Sequence, residues 1–544
     1  MVTRLTAPSA RKAPARAPSP KAASPQQPKT SPPAAYGQGA PDERMSKVDT
    51  AWLRMDHPAN LMQIIGIWQL APRVTHAAVC ERIARTLAHY DRFRQCAVED
   101  ATGATWVLDP GFDLARHVVR EKLPRAARGR QERLLQERVA ELASQPLDRR
   151  HPLWQFHLIE DYTGANGVRG SAMILRIHHC IADGLALISV IMAMVDGGAP
   201  PPERCGPQAP DEAHDAPFGS QEWVANSLLK PFTQATVKAL GAVGDGAVRS
   251  LDLLSHPGSV LEQRLSQGLK GSLDMARMAV QTLTDGAALA LMPDDSPTRL
   301  KGKSGGIKKV AWCQPIPLDE VKAVGKALHC SVNDVLLSCV AGAIGRYLKS
   351  HGDEVAGQEI RAMVPVNLRP PETAPKLGNH FGLAPLVLPI GIDNPVERLY
   401  EVRRRMAALK GSYQPVLAFG LLAVAGLLVK PAQDMMLNVF SKKTTAVMTN
   451  VPGPREKLKF CGATLEQSMF WVPQSGDVGL GVSILSYGGG VQFGVITDSA
   501  LCPQPQRIID EFVPEFARLS LVTLMLPWGE DEKSVPPETS AHTA

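Results

Sequence analysis

The segment RIHHCIADG, residues 176–184, concentrates the side chains best suited to chemistry in this chain. Two adjacent histidines, His178 and His179, are followed by Cys180 and, further on, by an Asp-Gly pair. Imidazole titrates close to neutral pH and can act as a general base or bind a metal. Neighbouring residues of a strand point to opposite faces, and no His-Glu-x-x-His spacing lies nearby. We therefore expect no metal site, and one imidazole that faces a channel.

The residues around the histidines predict the elements that position this imidazole. The aliphatic run 171–177 predicts a strand, and an apolar helix is expected over 184–195. Asp183 is expected to cap this helix or to pair with a distant arginine. Gly184 is expected to let the backbone turn closely. The alternative interpretation is a hydrogen-bonded core histidine at an ordinary strand end.

The composition indicates a globular protein of two domains. The chain has 544 residues, of which 44% are hydrophobic and 21% charged, and this length exceeds one comfortable core. Its nine cysteines include no C-x-x-C pair, which favours a reducing compartment over a disulfide framework. The longest apolar run, 416–429, is shorter than the ~20 residues that cross a bilayer, so a buried or an interfacial helix is expected.

The first 40 residues hold a net charge equal to that of the whole chain. The formal charge is +6, and this segment has no Asp or Glu beside its basic residues Arg4, Arg11, Lys12, Arg16, Lys21 and Lys29. Because it is rich in Pro, Ala and Ser, it cannot bury enough apolar surface to offset its ordering entropy. We predict a disordered basic arm that either contacts an anionic lipid surface or stays solvated without a specific role. Its prolines disfavour a third reading, the amphipathic helix of a transit peptide.

Strand-like and helical runs alternate on both sides of a polar connector. Helices are predicted at 77–93 and 132–145, and a strand at 152–161. Residues 198–217 are dense in Pro, Gly and charge and mark a boundary, after which a helical connector continues to about residue 291. The expected organisation is an arm at 1–44, an N-terminal domain at 45–200, a connector at 201–300, a C-terminal domain at 301–528 and a tail at 529–544.

The second half repeats the α/β pattern. A strand and a helix are predicted within 303–328, and a helix over 331–352 that begins at an N-cap, Ser331 or Asn333, and stops at Gly352. Further strands and a β-hairpin that turns at residues 488–490 are predicted over 360–371, 376–391, 446–454 and 478–498.

Several motifs, in this order along the chain, resemble those of a known enzyme family. HHCIADG matches the HHxxxDG signature of the chloramphenicol acetyltransferase-like acyltransferases, which include nonribosomal peptide condensation domains. Within this superfamily, residues 45–525 resemble a bacterial bifunctional wax ester synthase/acyl-CoA:diacylglycerol acyltransferase. The supporting motifs are a PLW motif at Pro152, Leu153 and Trp154, an ND motif at Asn333 and Asp334, and the segments LGNHF (377–381) and TNVPGP (449–454).

The resemblance implies an α/β fold of two chloramphenicol acetyltransferase-like domains, each a mixed sheet with flanking helices, and an active-site channel at their interface. It implies an O-acyltransferase that moves a long-chain acyl group from acyl-CoA to a fatty alcohol or a diacylglycerol, without an acyl-enzyme. The products are wax esters or triacylglycerol. No cofactor besides the co-substrate acyl-CoA, and no nucleic acid, is expected. The expected location is cytoplasmic, in peripheral contact with the inner membrane face or lipid droplets.

The resemblance also assigns roles to residues of the HHxxxDG segment. His179 corresponds to the general base, His178 to its support, Asp183 to the structural aspartate and Gly184 to the glycine after it. In relatives the aspartate pairs with an arginine of the other domain, and Arg369 is the candidate here. Cys180 is not expected to take part.

The roles of the remaining motif residues stay open between chemistry and structure. Asn333, followed by Asp334, is either a donor to the tetrahedral oxyanion or a helix N-cap. Trp154, with Pro152 and Leu153, is either core packing or a channel wall. A turn at Gly378 and Asn379 is expected, with neighbouring apolar residues that line a tunnel or pack in the core.

Two other functions compete with acyl-CoA-dependent transfer. One is a condensation-type enzyme that takes its acyl group from a carrier protein, which the PLW and ND motifs disfavour. The other is a non-catalytic lipid-droplet-binding protein that keeps the fold, which the intact HHxxxDG motif disfavours.

Overall fold

The computed structural model describes residues 42–100, 103–124, 130–198, 292–368, 377–410, 414–426, 428 and 430–525. Most of the predicted arm, most of the predicted connector, the C-terminal tail and Arg369 lie outside the described residues.

The helices of the described part are α1 (Lys47–Arg54), α2 (His76–Arg85), α3 (Leu114–His117), α4 (Gln131–Ala143), α5 (Gly184–Met194), α6 (Leu318–Ala327), α7 (Val332–Ser350), α8 (Pro395–Lys410), α9 (Gln414–Ala425), α10 (Lys430–Lys442) and α11 (Gln506–Leu524). The strands are β1 (Glu43–Arg44), β2 (Gln63–Ala71), β3 (Gln95–Asp100), β4 (Gly103–Leu108), β5 (Val118–Glu121), β6 (Trp154–Thr163), β7 (Arg169–His178), β8 (Lys308–Trp312), β9 (Ile316–Pro317), β10 (Ile360–Asn367), β11 (Phe381–Leu388), β12 (Ala446–Pro452), β13 (Lys459–Phe460), β14 (Ala463–Trp471), β15 (Leu480–Tyr487) and β16 (Gly490–Asp498).

These strands form three sheets. A six-stranded sheet has the order β13-β14-β2-β7-β6-β5, and a seven-stranded sheet has the order β11-β10-β12-β15-β16-β8, with β9 paired to β16. Both contain parallel and antiparallel pairs, such as β5 parallel to β6 and β7 antiparallel to β2. A small sheet, β1-β4-β3, begins at Glu43, within the predicted arm. The predicted α/β class with mixed sheets and flanking helices is confirmed.

The six-stranded sheet is completed by strands from the far end of the chain. β14 pairs antiparallel with β2, from Thr464 opposite Ala71 to Trp471 opposite Ile65. This sheet therefore joins chain segments on both sides of the connector. The predicted domains 45–200 and 301–528 follow the order of the chain, but the six-stranded sheet contains strands from both of them.

Strand β7 lies at the centre of this sheet, and nine of its ten residues are buried. Side chains of a central strand face the two opposite layers alternately, so a strand covered on both sides is apolar throughout. One face packs with Leu175 and Ile177 in a core that includes α5, and the other packs with Ala172 and Ile174 against α4. The aliphatic run at 171–177 lies within β7, as predicted, and the helix predicted after the histidines is α5.

Helix α7 confirms its predicted start and stop. Ser331 is the N-cap, and it forms a capping box with Asp334: the Ser331 side chain accepts from the Asp334 amide and the Asp334 carboxylate accepts from the Ser331 amide. Asn333, the other predicted cap, lies inside the helix. Gly352, just beyond the C-cap residue His351, has a φ of +84° and ends the helix in the left-handed region that favours glycine.

The predicted hairpin is also confirmed. β15 and β16 are joined at Gly488 and Gly489, whose φ angles are +58° and +79°. A two-residue turn with both φ angles positive matches the twist of the strands that it connects. The helix predicted at 77–93 is shorter than expected, because α2 ends at Arg85 and two 3₁₀ turns follow.

The apolar run at 416–429 lies largely in α9, which packs against α1 and β11 and is half-buried. Gly382 of β11 allows the close approach, because a Cβ there would lie 1.8 Å from the carbonyl oxygen of Pro415. Within the described residues no single helix is long and apolar enough to cross a membrane, although α6 and α7, bent by 99°, meet that criterion as a pair.

Candidate active site

His179 lies directly after β7, and the main chain fixes it from two sides. Its amide donates to the carbonyl of Met62 at 2.7 Å, and its own carbonyl accepts from the Asn379 side-chain amide at 2.7 Å. The ring stacks on the indole of Trp52, with ring centroids 4.2 Å apart and planes 11° from parallel. Phe381 lies at a third side, 5.4 Å away. The imidazole is thus held by groups from both halves of the chain.

Burial sets the charge of this imidazole. His179 is 3% exposed, and burial lowers its pKa to about 4, against an opposite effect of the Asp183 charge. At neutral pH the ring is therefore uncharged and can accept a proton. Its Nδ1 atom is buried.

His178 points elsewhere, as predicted. Its Nδ1 accepts from the amide of Cys180 at 3.2 Å, and its Nε2 lies 3.9 Å from Asp56. Its amide donates to the carbonyl of Leu153 at 2.9 Å. Burial lowers its pKa to about 4 as well. This ring therefore stabilises the turn that follows β7, and its supporting role in the reaction stays a prediction.

Asp183 joins the start of α5 to the C-terminal half. Its side chain caps the helix by accepting from the amide of Ala186 at 2.9 Å, which confirms the predicted cap. It also accepts from the amide of His380 at 3.0 Å, and its own amide donates to the carbonyl of Gly378 at 3.2 Å. The pairing of Asp183 with Arg369 stays a prediction, because Arg369 lies outside the described residues.

The turn at Gly378 and Asn379 carries a second link between the halves. Besides binding the carbonyl of His179, Asn379 donates to the Asp49 carboxylate from its side chain at 2.8 Å and from its amide at 3.2 Å. Gly378 adopts a φ of +115°, which favours glycine. Burial raises the pKa of Asp49 to about 6, although the hydrogen bonds from Asn379 lower it. Asn379 thus positions His179 through its main chain.

The ring of His179 opens into a cavity of about 310 Å³, which we call the reaction chamber. Its walls come from both halves of the chain and carry both apolar and polar side chains. They include Trp52, His179, Asp183, Gly184, Asn367, Phe381, Thr449, Asn450, Phe470, Val472 and Ser475. Apolar walls with convergent polar groups are typical of a small-molecule site.

Asn333 contributes to this chamber indirectly. It does not line the cavity, but its side-chain oxygen accepts from the Asn450 amide at 2.5 Å, and Asn450 does line it. An amide has two N–H donors, so this bond leaves Asn450 a second one. The structure thus puts Asn450 at the chamber wall and Asn333 behind it, and the role of Asn333 as an oxyanion donor stays a prediction.

The PLW motif lies in the core. Trp154 is 1% exposed, donates from its indole to the carbonyl of Phe93 at 2.8 Å and stacks on His117 at 4.5 Å. Pro152 and Leu153 are buried beside it. None of the three lines the chamber, and the burial and contacts of Trp154 favour core packing.

Gly184 differs from its prediction as well. It is the first residue of α5, its φ lies outside the left-handed region, and a Cβ there would meet no atom of the described residues within 4 Å. A close backbone turn is therefore not the reason for this glycine.

Cys180 is fully buried, and burial raises its pKa well above the usual value, so it stays a thiol. It does not line the chamber. Within the described residues, no group of three or more His, Cys, Asp or Glu side chains could hold a metal ion.

Sequence reasoning missed Trp52 and Asp49. Both lie on α1, more than a hundred residues before His179, and no spacing connects them to the motif. Asn450 lies in the TNVPGP segment, which served only as a landmark. Its position just after a run of buried strand residues was the available signal.

Comparison with known proteins identifies the family. A model of the wax ester synthase/diacylglycerol acyltransferase catalytic domain matches residues 45–336, and a model of the WS/DGAT C-terminal domain matches residues 377–520. A putative diacylglycerol O-acyltransferase of Mycobacterium tuberculosis H37Rv is 30% identical over 485 residues, 86% of this chain and 96% of its own. A probable diacylglycerol O-acyltransferase of the same strain is 27% identical over 403 residues, 73% and 77% of the two chains.

Solved structures support the fold. The wax ester synthase/diacylglycerol acyltransferase from Marinobacter aquaeolei VT8 has a TM-score of 0.59 at 21% identity and covers 89% of this chain and 100% of its own. The first condensation domain of the calcium-dependent antibiotic synthetase has a TM-score of 0.50 at 13% identity, with 89% and 97% covered. The two domain models and the relatives show that the chain belongs to the wax ester synthase/diacylglycerol acyltransferase family and is an acyl-CoA-dependent O-acyltransferase.

Proposed function

We propose that His179 catalyses direct transfer of a long-chain acyl group from acyl-CoA to the hydroxyl of a fatty alcohol or a diacylglycerol. The observation that carries this proposal is the neutral, buried imidazole of His179, which opens into a chamber between the two halves. A hydroxyl is a weak nucleophile until a base removes its proton, and a neutral imidazole within hydrogen-bond reach can do so.

In the proposed reaction, Nε2 of His179 takes the hydroxyl proton while the oxygen forms a bond to the thioester carbon. The carbonyl oxygen of the tetrahedral intermediate then carries the negative charge. When the intermediate collapses, the carbon–sulfur bond breaks, and the imidazolium returns its proton to the thiolate of coenzyme A. No residue of the chain forms a covalent bond to the acyl group, and Cys180 takes no part.

Asn450 is the proposed donor to the oxyanion. Its side-chain amide lies in the chamber wall, and the bond to Asn333 fixes its orientation before the substrate arrives. Donors held in place at the developing charge stabilise a transition state more than mobile ones do. Asn333 is then a positioning residue that acts through Asn450.

The proposal includes no cofactor besides the co-substrate acyl-CoA, no metal and no nucleic-acid partner. Because both acceptors are water-insoluble, it places the protein in the cytoplasm, in peripheral contact with the inner membrane face or with lipid droplets. The basic arm is the proposed contact, through its positive charge. Deletion of residues 1–40 should weaken sedimentation with anionic vesicles, and binding equal to that of the full chain would contradict this part.

The catalytic proposal is tested with purified protein, palmitoyl-CoA and either hexadecanol or dioleoylglycerol. His179→Ala should lower kcat by about 10²–10⁴-fold, the usual contribution of a general base. His89→Ala, at an exposed histidine, is the matched control and should behave like the unmodified chain.

The melting temperatures of the wild type, His179→Ala and His179→Gln show whether a loss of activity reflects a loss of folding. Transfer at the unmodified rate in a folded His179→Ala protein would contradict the mechanism. If the wild-type protein transferred the acyl group to neither acceptor, the proposed substrates would be wrong.

A further inference from the structure

Neither the backbone nor the packing requires a glycine at position 184. The residue begins α5 in a helical conformation, and in the described part of the chain no atom lies within 4 Å of the position that its Cβ would take. The absent side chain therefore leaves open space at this point.

Two cavities meet at this space. The reaction chamber and a second cavity of about 100 Å³ are both lined by Gly184, Phe470 and Val472. The second cavity, which we call the apolar cavity, lies between α5 and the six-stranded sheet. A side chain on Gly184 would project where the two volumes adjoin.

The walls of the apolar cavity define its ligand. From α5 they include Leu187, Val190 and Ile191, and from the sheet they include Ile177 and Met469. Its described lining contains no charged side chain. A site without charge and with few polar groups favours hydrocarbon, since each buried methylene contributes about 0.8 kcal/mol and an unpaired polar group costs more.

Three side chains of this lining carry polar atoms, those of Trp68, Ser468 and Tyr487. The hydroxyl of Tyr487 is already bonded, because it donates to the carbonyl of Leu465 at 2.7 Å and accepts from the amide of Leu458 at 2.9 Å. Met192, Met194 and Met469 belong to the same wall. Flexible thioether side chains can repack, which allows a narrow cavity to widen around a chain.

We propose that Gly184 is the passage through which a linear alkyl chain of a substrate enters the apolar cavity, while the reacting group stays beside His179. The inference rests on the proposed function and deepens it. The acyl chain of the donor and the alkyl chain of the acceptor share this chemistry, so the experiment separates them. Chain length is then selected behind α5, and bond formation takes place in the chamber.

The test compares Gly184→Val with the unmodified chain for palmitoyl-CoA and butyryl-CoA, each with hexadecanol and with butanol. If the donor chain uses the passage, the ratio of kcat/KM for palmitoyl-CoA over butyryl-CoA should fall at least about tenfold with either alcohol. If the acceptor chain uses it, the ratio for hexadecanol over butanol should fall instead. Either result supports the passage and identifies the chain.

A second variant keeps the proposal falsifiable if Gly184→Val fails to fold. Ile191→Trp fills the apolar cavity from a residue that does not line the chamber, and it should lower the same ratio. Met435→Trp, at a residue that is 71% exposed on α10, is the matched control.

Unchanged ratios in both folded variants would overturn the passage while leaving the proposed function intact. A wild-type protein that transfers no acyl group to either alcohol or to dioleoylglycerol would instead contradict the proposed function.

Discussion

The reaction chamber and the apolar cavity share Gly184, Phe470 and Val472, yet their walls are built differently. The apolar cavity is lined mainly by the interior faces of α5 and of adjacent strands, whose side chains follow the periodicity of the elements. The chamber is lined by Trp52 of α1, by His179 and Asp183 after β7, and by residues of β10, β11 and β12 and the segment after β14. Chain-length selection is thus assigned to the apolar cavity and bond formation to the chamber. Residues that line only one of the two cavities allow each to be changed separately.

The largest expected effect concerns Asp49, which accepts hydrogen bonds from Asn379. Because burial raises the pKa of Asp49 to about 6, the folded state binds a proton more tightly than the unfolded chain. The resulting stability is present below the unfolded pKa and is lost as the pH rises through about 6. Asp49→Asn lacks this loss. As the pH rises from acid to pH 8, its free energy of unfolding should therefore increase by up to about 3 kcal/mol relative to that of the wild type. Urea unfolding of both proteins measures it.

Asp49→Ala is the contrasting variant. It removes the acceptor for both Asn379 donors and should be less stable than Asp49→Asn at every pH. An identical pH dependence in the wild type and Asp49→Asn would show that Asp49 does not titrate as described.

The next effect lies within the chamber. Asn450→Ala removes the proposed oxyanion donor and should lower kcat about 10²-fold with little change in KM, as is usual for such donors. The ratio between palmitoyl-CoA and butyryl-CoA should not change, because the apolar cavity is intact. Asn438→Ala, at an exposed asparagine of α10, is the control. A change in chain-length preference without a change in kcat would reverse the roles of the two cavities.

A smaller effect is expected behind Asn450. Asn333→Ala frees the Asn450 side chain without removing it, so kcat should fall about tenfold, less than in Asn450→Ala. In the double variant the two losses should not add, because Asn333 acts through its partner. Additive losses in a double-mutant cycle would assign Asn333 a separate role.

The sequence predicted those parts of the molecule that depend on local pattern. The strand at 171–177, the cap at Asp183 and the hairpin at Gly488 follow from side-chain period, capping chemistry and turn geometry, and the structure confirms them. The motif also placed His179 and His178 on different sides of the turn. These features need only neighbours along the chain.

The parts that failed depend on contacts between distant segments. Nothing local shows that β14 would pair with β2, that Trp52 would stack on His179, or that Asn450 rather than Asn333 would reach the chamber. Trp154 was ambiguous because a buried indole and a channel wall have the same sequence pattern. For Gly184 the sequence indicates only a close backbone turn, because the open space around it depends on residues far along the chain.

The proposed mechanism requires that burial keep His179 neutral so that it can act as the base. The pH dependence of kcat/KM for palmitoyl-CoA measures this, because its acid limb reports the base of the free enzyme. In Asp49→Asn, where Asp49 no longer titrates, we expect a level profile from pH 8 to well below the ordinary histidine pKa of about 6.5. An acid limb centred at or above about 6.5 in that variant would contradict it.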